Sequence, residues 1–197
     1  MRHEITNTGL NAEAVPYRTL RNVLAIVLFA VLTAVGAALE VKLPGTPVPI
    51  TLQTLFVSLA GALLGPVSGA ASQALYVLAG AMGAPVFSGG DAGVGVLLGP
   101  TGGYLLAFPI AAAITGKLAG ATETRVTLAG AARLGAAIFL GTVAIFVGGA
   151  AQLTLLTGDL NLAITSGVLP FVIGDIVKVA AALGIALRYR TRTLGQL

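Results

Sequence analysis

Apolar positions along the chain fall into long runs separated by short charged or turn-rich connections. The runs cover residues 23–39, 51–64, 67–82, 103–117, 134–156 and 167–187. Glu40 closes the first, a Gly65-Pro66 turn separates the second from the third, and Lys117 ends the fourth. A helix needs about 20 apolar residues to cross a bilayer. The fifth run crosses unaided, whereas the second is short and must be tilted or shielded by its neighbours. Pro109, inside the fourth, predicts a kink, because proline removes a backbone donor and crowds the preceding turn. The pattern predicts an all-α, polytopic membrane protein of six transmembrane helices.

Composition agrees. Apolar residues make up 56% of the 197 and charged residues only 9%, against roughly 25% charged in an average soluble domain. Mean hydropathy is +0.97. The length fits one domain: a 22–188 membrane bundle between cytoplasmic tails at 1–21 and 189–197. The N-terminal tail is polar, with no cleavable apolar segment ahead of the first run, so that run reads as a retained helix. The chain has no cysteine, and its one histidine, His3, lies in that tail. Disulfides, cysteine-bound zinc and a histidine-based metal or catalytic site within the membrane are thereby excluded.

The net charge of +4 does not form a nucleic-acid patch, because the basic residues sit at the ends of apolar runs. Arg2, Arg18 and Arg21 precede the first run. Lys117, Arg125 and Arg133 lie between the fourth and fifth, and Arg188, Arg190 and Arg192 follow the sixth. With six crossings all of these fall on one side, which the positive-inside rule makes the cytoplasm. Both termini are then inside, and Lys42 is alone among basic residues on the outer side. Five or seven crossings would break that asymmetry.

The outer connections span 42–50, 83–102 and 157–166. The first two are dense in Gly and Pro yet apolar, which suggests lids folded over a cavity; the alternative is tight loops that cover helix ends. No internal repeat supports an inverted-repeat transporter.

Asp175 and Lys178 stand inside the sixth run. A charge near the bilayer centre costs roughly 2.5–3.5 kcal/mol on insertion scales, and such residues mark functional sites by default. Their i, i+3 spacing puts both on one helix face, about 12 Å from the outer end of that run. They form either a self-neutralising structural pair or a site for a polar solute. Other groups can converge there: Gln53, a bundle-bridging amide in the alternative; Tyr104, otherwise an interfacial anchor; and Phe87 and Asp91 in the second outer connection, Asp91 being otherwise solvated. Ala30, Ala34 and Ala38 form a small-residue stripe that permits close approach by another helix, of this chain or of a partner.

The chain has no G-x-x-x-x-G-K-[ST] phosphate loop, no H-E-x-x-H and no histidine for a triad. It is read as a transport protein, not an enzyme. Active transport would draw its energy from another polypeptide or an ion gradient.

Three stretches resemble the BioY family, the substrate-binding subunits of energy-coupling-factor (ECF) biotin transporters: PGTPVPITLQTLF at 44–56, GAPVFSGGDAGVGVLLGPTGGYL at 83–105 and LPFVIGDIVK at 169–178. The resemblance implies six helices with both termini in the cytoplasm, and a biotin pocket opening outward beneath the first two outer loops. It implies that Asp175 and Lys178 contact the ligand's polar groups, and that Phe87 and Tyr104 pack its apolar part. Between Gly90 and Ala92 it implies a neutral amide or small residue, where this chain has Asp91. It also implies that Ala30, Ala34 and Ala38 dock on a membrane coupling subunit driven by two ATPase subunits. No cofactor other than the ligand, biotin, is expected, and no nucleic-acid partner. Competing readings are a binding subunit for another vitamin and a structural membrane scaffold.

Overall fold

The computed structural model describes residues 14–120 and 127–193, with side chains described from residue 19 to residue 190. Arg2, His3 and Arg125, and the side chains of Arg18 and Arg192, lie outside this description. In order the elements are α1 (Ala14–Ala38), β1 (Glu40–Val41), β2 (Ile50–Thr51), α2 (Gln53–Ala81), α3 (Val94–Leu98), α4 (Gly102–Ala119), α5 (Leu128–Thr157), α6 (Leu160–Gly167) and α7 (Val172–Thr193). Single 3-10 turns stand at Ser88–Gly90 and Leu169–Phe171. The helices at both ends run past the expected bundle limits of 22 and 188.

Five described segments are long and apolar enough to cross a membrane, α2 being counted once. Yet α2 is not one rod. A continuous helix would hold residues 53 and 76 about 34 Å apart at 1.5 Å per residue, whereas the Gln53 and Tyr76 side chains are hydrogen-bonded at 2.5 Å. The chain reverses at Gly65, whose φ of 81° and ψ of −178° are non-helical and suit glycine, and Pro66 opens the return arm. The expected runs 51–64 and 67–82 are the two arms of this hairpin. By contrast, α4 continues through Pro109 without a non-helical residue.

The last expected run, 167–187, starts later than the apolar pattern suggests. Gly158 turns the chain, Asp159 caps α6 by accepting from the Leu162 amide at 3.1 Å, and a helix occupies most of the connection expected at 157–166. The break between α6 and α7 follows from Pro170, which cannot donate a backbone bond and disfavours a helical residue before it.

One face of α1 (Leu20, Leu24, Val27, Val31 and Val35) is exposed, while Phe29, Thr33 and Ala37 are buried. An apolar face turned outward is what lipid requires. Buried apolar residues form two clusters. One gathers Tyr76, Phe87, Tyr104, Phe108, Ile145 and Phe171. The other gathers Leu59, Leu63, Leu134, Ile138, Ala182 and Ala186. At the second end lie the Gly65-Pro66 turn, packed against Gly116 of α4, and Gly120, over which the Arg133 guanidinium sits. Arg190 is buried there. Its Nε donates to the Ala62 carbonyl at 3.1 Å, and a terminal nitrogen donates to the Gly120 carbonyl. Expected as part of a tail, Arg190 instead caps the ends of two helices, where a cation offsets the negative pole.

Candidate functional site

At the end opposite Arg190 the helices enclose a cavity of about 300 Å³. Asp175, Lys178, Gln53, Tyr104, Phe87 and Asp91 all line it, so the structure brings the six site residues singled out in the sequence to one place.

Asp175 is only 5% exposed. It lies in the first turn of α7, shallower along its helix than the run from residue 167 implied, because the break at Pro170 delays the helix start. There the positive end of the helix dipole favours a carboxylate. Lys178 Nζ lies 2.6 Å from Asp175 Oδ1, and Thr54 Oγ1 donates to the same oxygen at 3.1 Å. Neither bond uses Oδ2, and an ammonium has three donors. The pair is thus neutral as a unit, yet keeps an acceptor and further N–H donors for a polar solute.

Gln53 bridges the arms of α2: Thr51 Oγ1 donates to its Oε1 at 2.9 Å, and its Nε2 donates to the Tyr76 hydroxyl. The Tyr104 hydroxyl donates to the Gly167 carbonyl at 2.6 Å, which ties α4 to the α6–α7 break and leaves the ring to face the cavity. That ring lies over Gly149, where any Cβ would meet it at 2.1 Å. The Phe87 ring sits in a notch at Gly80, where a Cβ would meet it at 2.2 Å. Phe87 is 2% exposed, so it is wall rather than free loop. Asp91, at the rim, is exposed.

The connections at 42–50 and 83–102 fold over this space. Pro47, Val48 and Pro49 of the first, and Phe87, Ser88 and Val96 of the second, line it. The first is a hairpin closed by the β1–β2 pairing of Glu40 with Thr51 and Val41 with Ile50. The second is pinned: Tyr76 donates to the Val86 carbonyl at 3.0 Å, and Gln152 donates to the Leu97 and Gly99 carbonyls at 2.9 and 2.6 Å. Ser88 Oγ donates to Glu40 Oε2 and joins the two connections. Lys42 Nζ lies 3.4 Å from Glu40. The Ser88 bond, aided by Lys42, holds the Glu40 carboxyl below its ordinary pKa against the opposing effect of burial.

Sequence reasoning missed Thr54, Tyr76, Glu40 and Ser88 as parts of this site. Glu40 and Lys42, two charges flanking Val41 at the edge of an apolar run, were the available signal; Thr54 and Tyr76 carried none. The small-residue stripe lies largely against the chain itself. Ala30 is buried in the cluster around the cavity and Ala34 packs against it. Two of the three are therefore occupied by contacts within the chain, and only Ala38 is exposed.

A model of the BioY family matches residues 6–194. The chain is 42% identical over 173 residues to the probable biotin transporter BioY of Pyrococcus horikoshii, covering 88% of this chain and 98% of that protein. It is 40% identical over 173 residues to the biotin transporter BioY of Thermotoga maritima, covering 87% and 96%. Its fold is similar to the crystal structure of the S-component for biotin from an ECF-type ABC transporter, with a TM-score of 0.79 over 89% of this chain and 94% of that one, at 24% identity.

Proposed function

From the chain's membership of the BioY family, we propose that it is the biotin-binding subunit of an ECF-type importer in the cell membrane, a transport protein rather than an enzyme. Each arm of α2 is taken as a crossing, giving six. The described basic side chains Arg133 and Arg190 gather at one end of the bundle, which supports placing that end in the cytoplasm and the cavity toward the outside.

The observation that carries this reading is the Asp175–Lys178 pair, held inside the cavity with an acceptor and donors to spare. Biotin has a ureido ring with two N–H donors and one carbonyl, an apolar thioether ring and chain, and a carboxylate. Asp175 accepts from a ureido N–H, a charge-assisted bond of the stronger kind. Lys178, paired with Asp175, donates to a ligand oxygen. The rings of Phe87, Tyr104 and Phe108 pack the apolar part. Energy for uptake comes from partner subunits, namely a membrane coupling subunit and two ATPases, since this sequence has no phosphate loop.

Titration calorimetry of biotin into the purified, detergent-solubilised chain is the test. One-to-one binding without partners is expected. Absence of heat from a sample shown to be folded would overturn the reading.

A further inference from the structure

Tyr76 stands behind the cavity wall, yet it touches three residues that form it. It is 2% exposed. Its ring meets Phe87 edge-on at 5.7 Å between centroids and stacks on Phe108 at 6.3 Å. Its hydroxyl binds Gln53, the third.

Hydrogen counting assigns the polarity of that last contact. A tyrosine hydroxyl has one hydrogen. Here it goes to the Val86 carbonyl, which can only accept, at 3.0 Å. The oxygen can then meet Gln53 only as an acceptor, so Gln53 turns its NH2 toward Tyr76. At the other end of the same amide, Oε1 takes the Thr51 hydroxyl hydrogen at 2.9 Å. Both bonds agree on one of the two amide orientations. An NH2 group has two hydrogens, and one is used. Gln53 is 6% exposed and lines the cavity, which is where the second is available.

We infer that Tyr76 is a positioning residue that locks the Gln53 amide with an N–H, not its carbonyl, offered to the cavity, so that Gln53 selects a ligand bearing a carbonyl or carboxylate oxygen at that point. The inference rests on the cavity being the ligand site. A flipped amide would set Oε1 against the same ligand oxygen, turning an attraction into a repulsion. Asp175 offers an acceptor and Gln53 a donor, so the two read opposite halves of a polar ligand.

Two measurements test it. In the ligand-free protein, 15N labelling of glutamine side chains gives signals from four residues, and Gln53 is identified by its loss in Gln53→Leu, or in Gln53→Met should that variant not fold. The hydrogen-bonded proton of its NH2 pair should lose its distinct shift and its protection from exchange in Tyr76→Phe; an unchanged pair would overturn the lock. In the second, Tyr76→Phe should weaken biotin binding about fivefold, as expected for one hydrogen bond, and have no effect in the Gln53→Leu background. An equal loss in both backgrounds would mean that Tyr76 acts through Phe87 and the second connection, and would overturn the proposal. The loss should disappear for one of two analogues, 2-iminobiotin without the urea carbonyl or biotinol without the carboxylate, which identifies the oxygen that Gln53 meets. A loss kept for both would also overturn it. If the unaltered chain fails to bind biotin, the ligand reading falls while the amide signal still tests the lock.

Discussion

The two ends of the bundle differ in what glycine makes room for. At the end held by Arg190 it brings backbones together. A Cβ on Gly61 would stand 2.4 Å from the Ala112 carbonyl oxygen, and one on Gly116 would stand 2.4 Å from the Pro66 nitrogen. At the cavity end it does the same where Gly103 meets the Gly148 carbonyl, but it also seats rings: Gly80 receives Phe87, and Gly149 receives Tyr104. Five aromatic residues belong to the buried cluster at that end, and one, Phe29, to the other. Small residues let helices close completely. Rigid rings meet edge and face with gaps between them, and the cavity lies among such rings. One end is therefore built to hold the fold together and the other to hold a space open.

Substitutions can break this division. The largest effect is expected at the closed end. Gly116→Val places a branched side chain against backbone that cannot give way, and it should cost about 3 kcal/mol, the upper range for overpacking. Thermal unfolding in detergent would show it, and the fraction that remains folded should bind biotin with unchanged affinity. A parallel fall in affinity would mean that the two ends are mechanically coupled.

Replacing Asp175 and Lys178 together by leucine should do the reverse. Exchanging a buried ion pair for apolar residues is often neutral or stabilising, so the melting temperature should hold or rise. Biotin affinity should fall by about fiftyfold, ~2.3 kcal/mol. A melting temperature that drops with the affinity would return the pair to the status of a structural bridge. Asp175→Asn alone is the weaker test, because it leaves the Lys178 ammonium uncompensated.

The division also explains what was legible in the sequence. Apolar runs announce themselves because a bilayer reads the chain one helix at a time, and two charges inside such a run cannot be overlooked. Gly65-Pro66 was readable as a turn for the same local reason. Pro170 was equally visible, but the apolar run continues through it, so the start of α7 was placed five residues early, at Gly167 rather than Val172. The small-residue stripe specified close contact but not with what; Ala30 turns out to pack against this chain's own core. Thr54 and Tyr76 looked ordinary because their importance lies in partners far away in sequence. Thr54 meets Asp175 across 121 residues, and Gln53 meets Tyr76 across 23. No local pattern encodes such a meeting.

The smallest expected effect concerns the contact that joins the two connections over the cavity. The second connection is fixed to the bundle through Tyr76 and Gln152, so opening falls to the first, which Glu40 fastens to Ser88. Breaking that bond with Ser88→Ala should speed biotin release about threefold, the scale of one partly exposed hydrogen bond, with no change in melting temperature. The same contact carries a pH signature. The closed form holds Glu40 ionised more strongly than an open form would, since Ser88 donates to it and Lys42 lies beside it. A lowered acid pKa favours the closed form above the ordinary glutamate value of about 4.3, and that preference is lost as the pH falls through the lowered value. Asp91, Asp175 and Lys178 line the same cavity, so the diagnostic is a difference. Release measured between pH 7 and pH 3 should accelerate at the acid end in the unaltered chain and less so in Ser88→Ala, which has already lost the donor. Identical acid profiles in the two proteins would remove Glu40 and Ser88 from the gate and leave the β1–β2 pairing alone to hold the first connection closed.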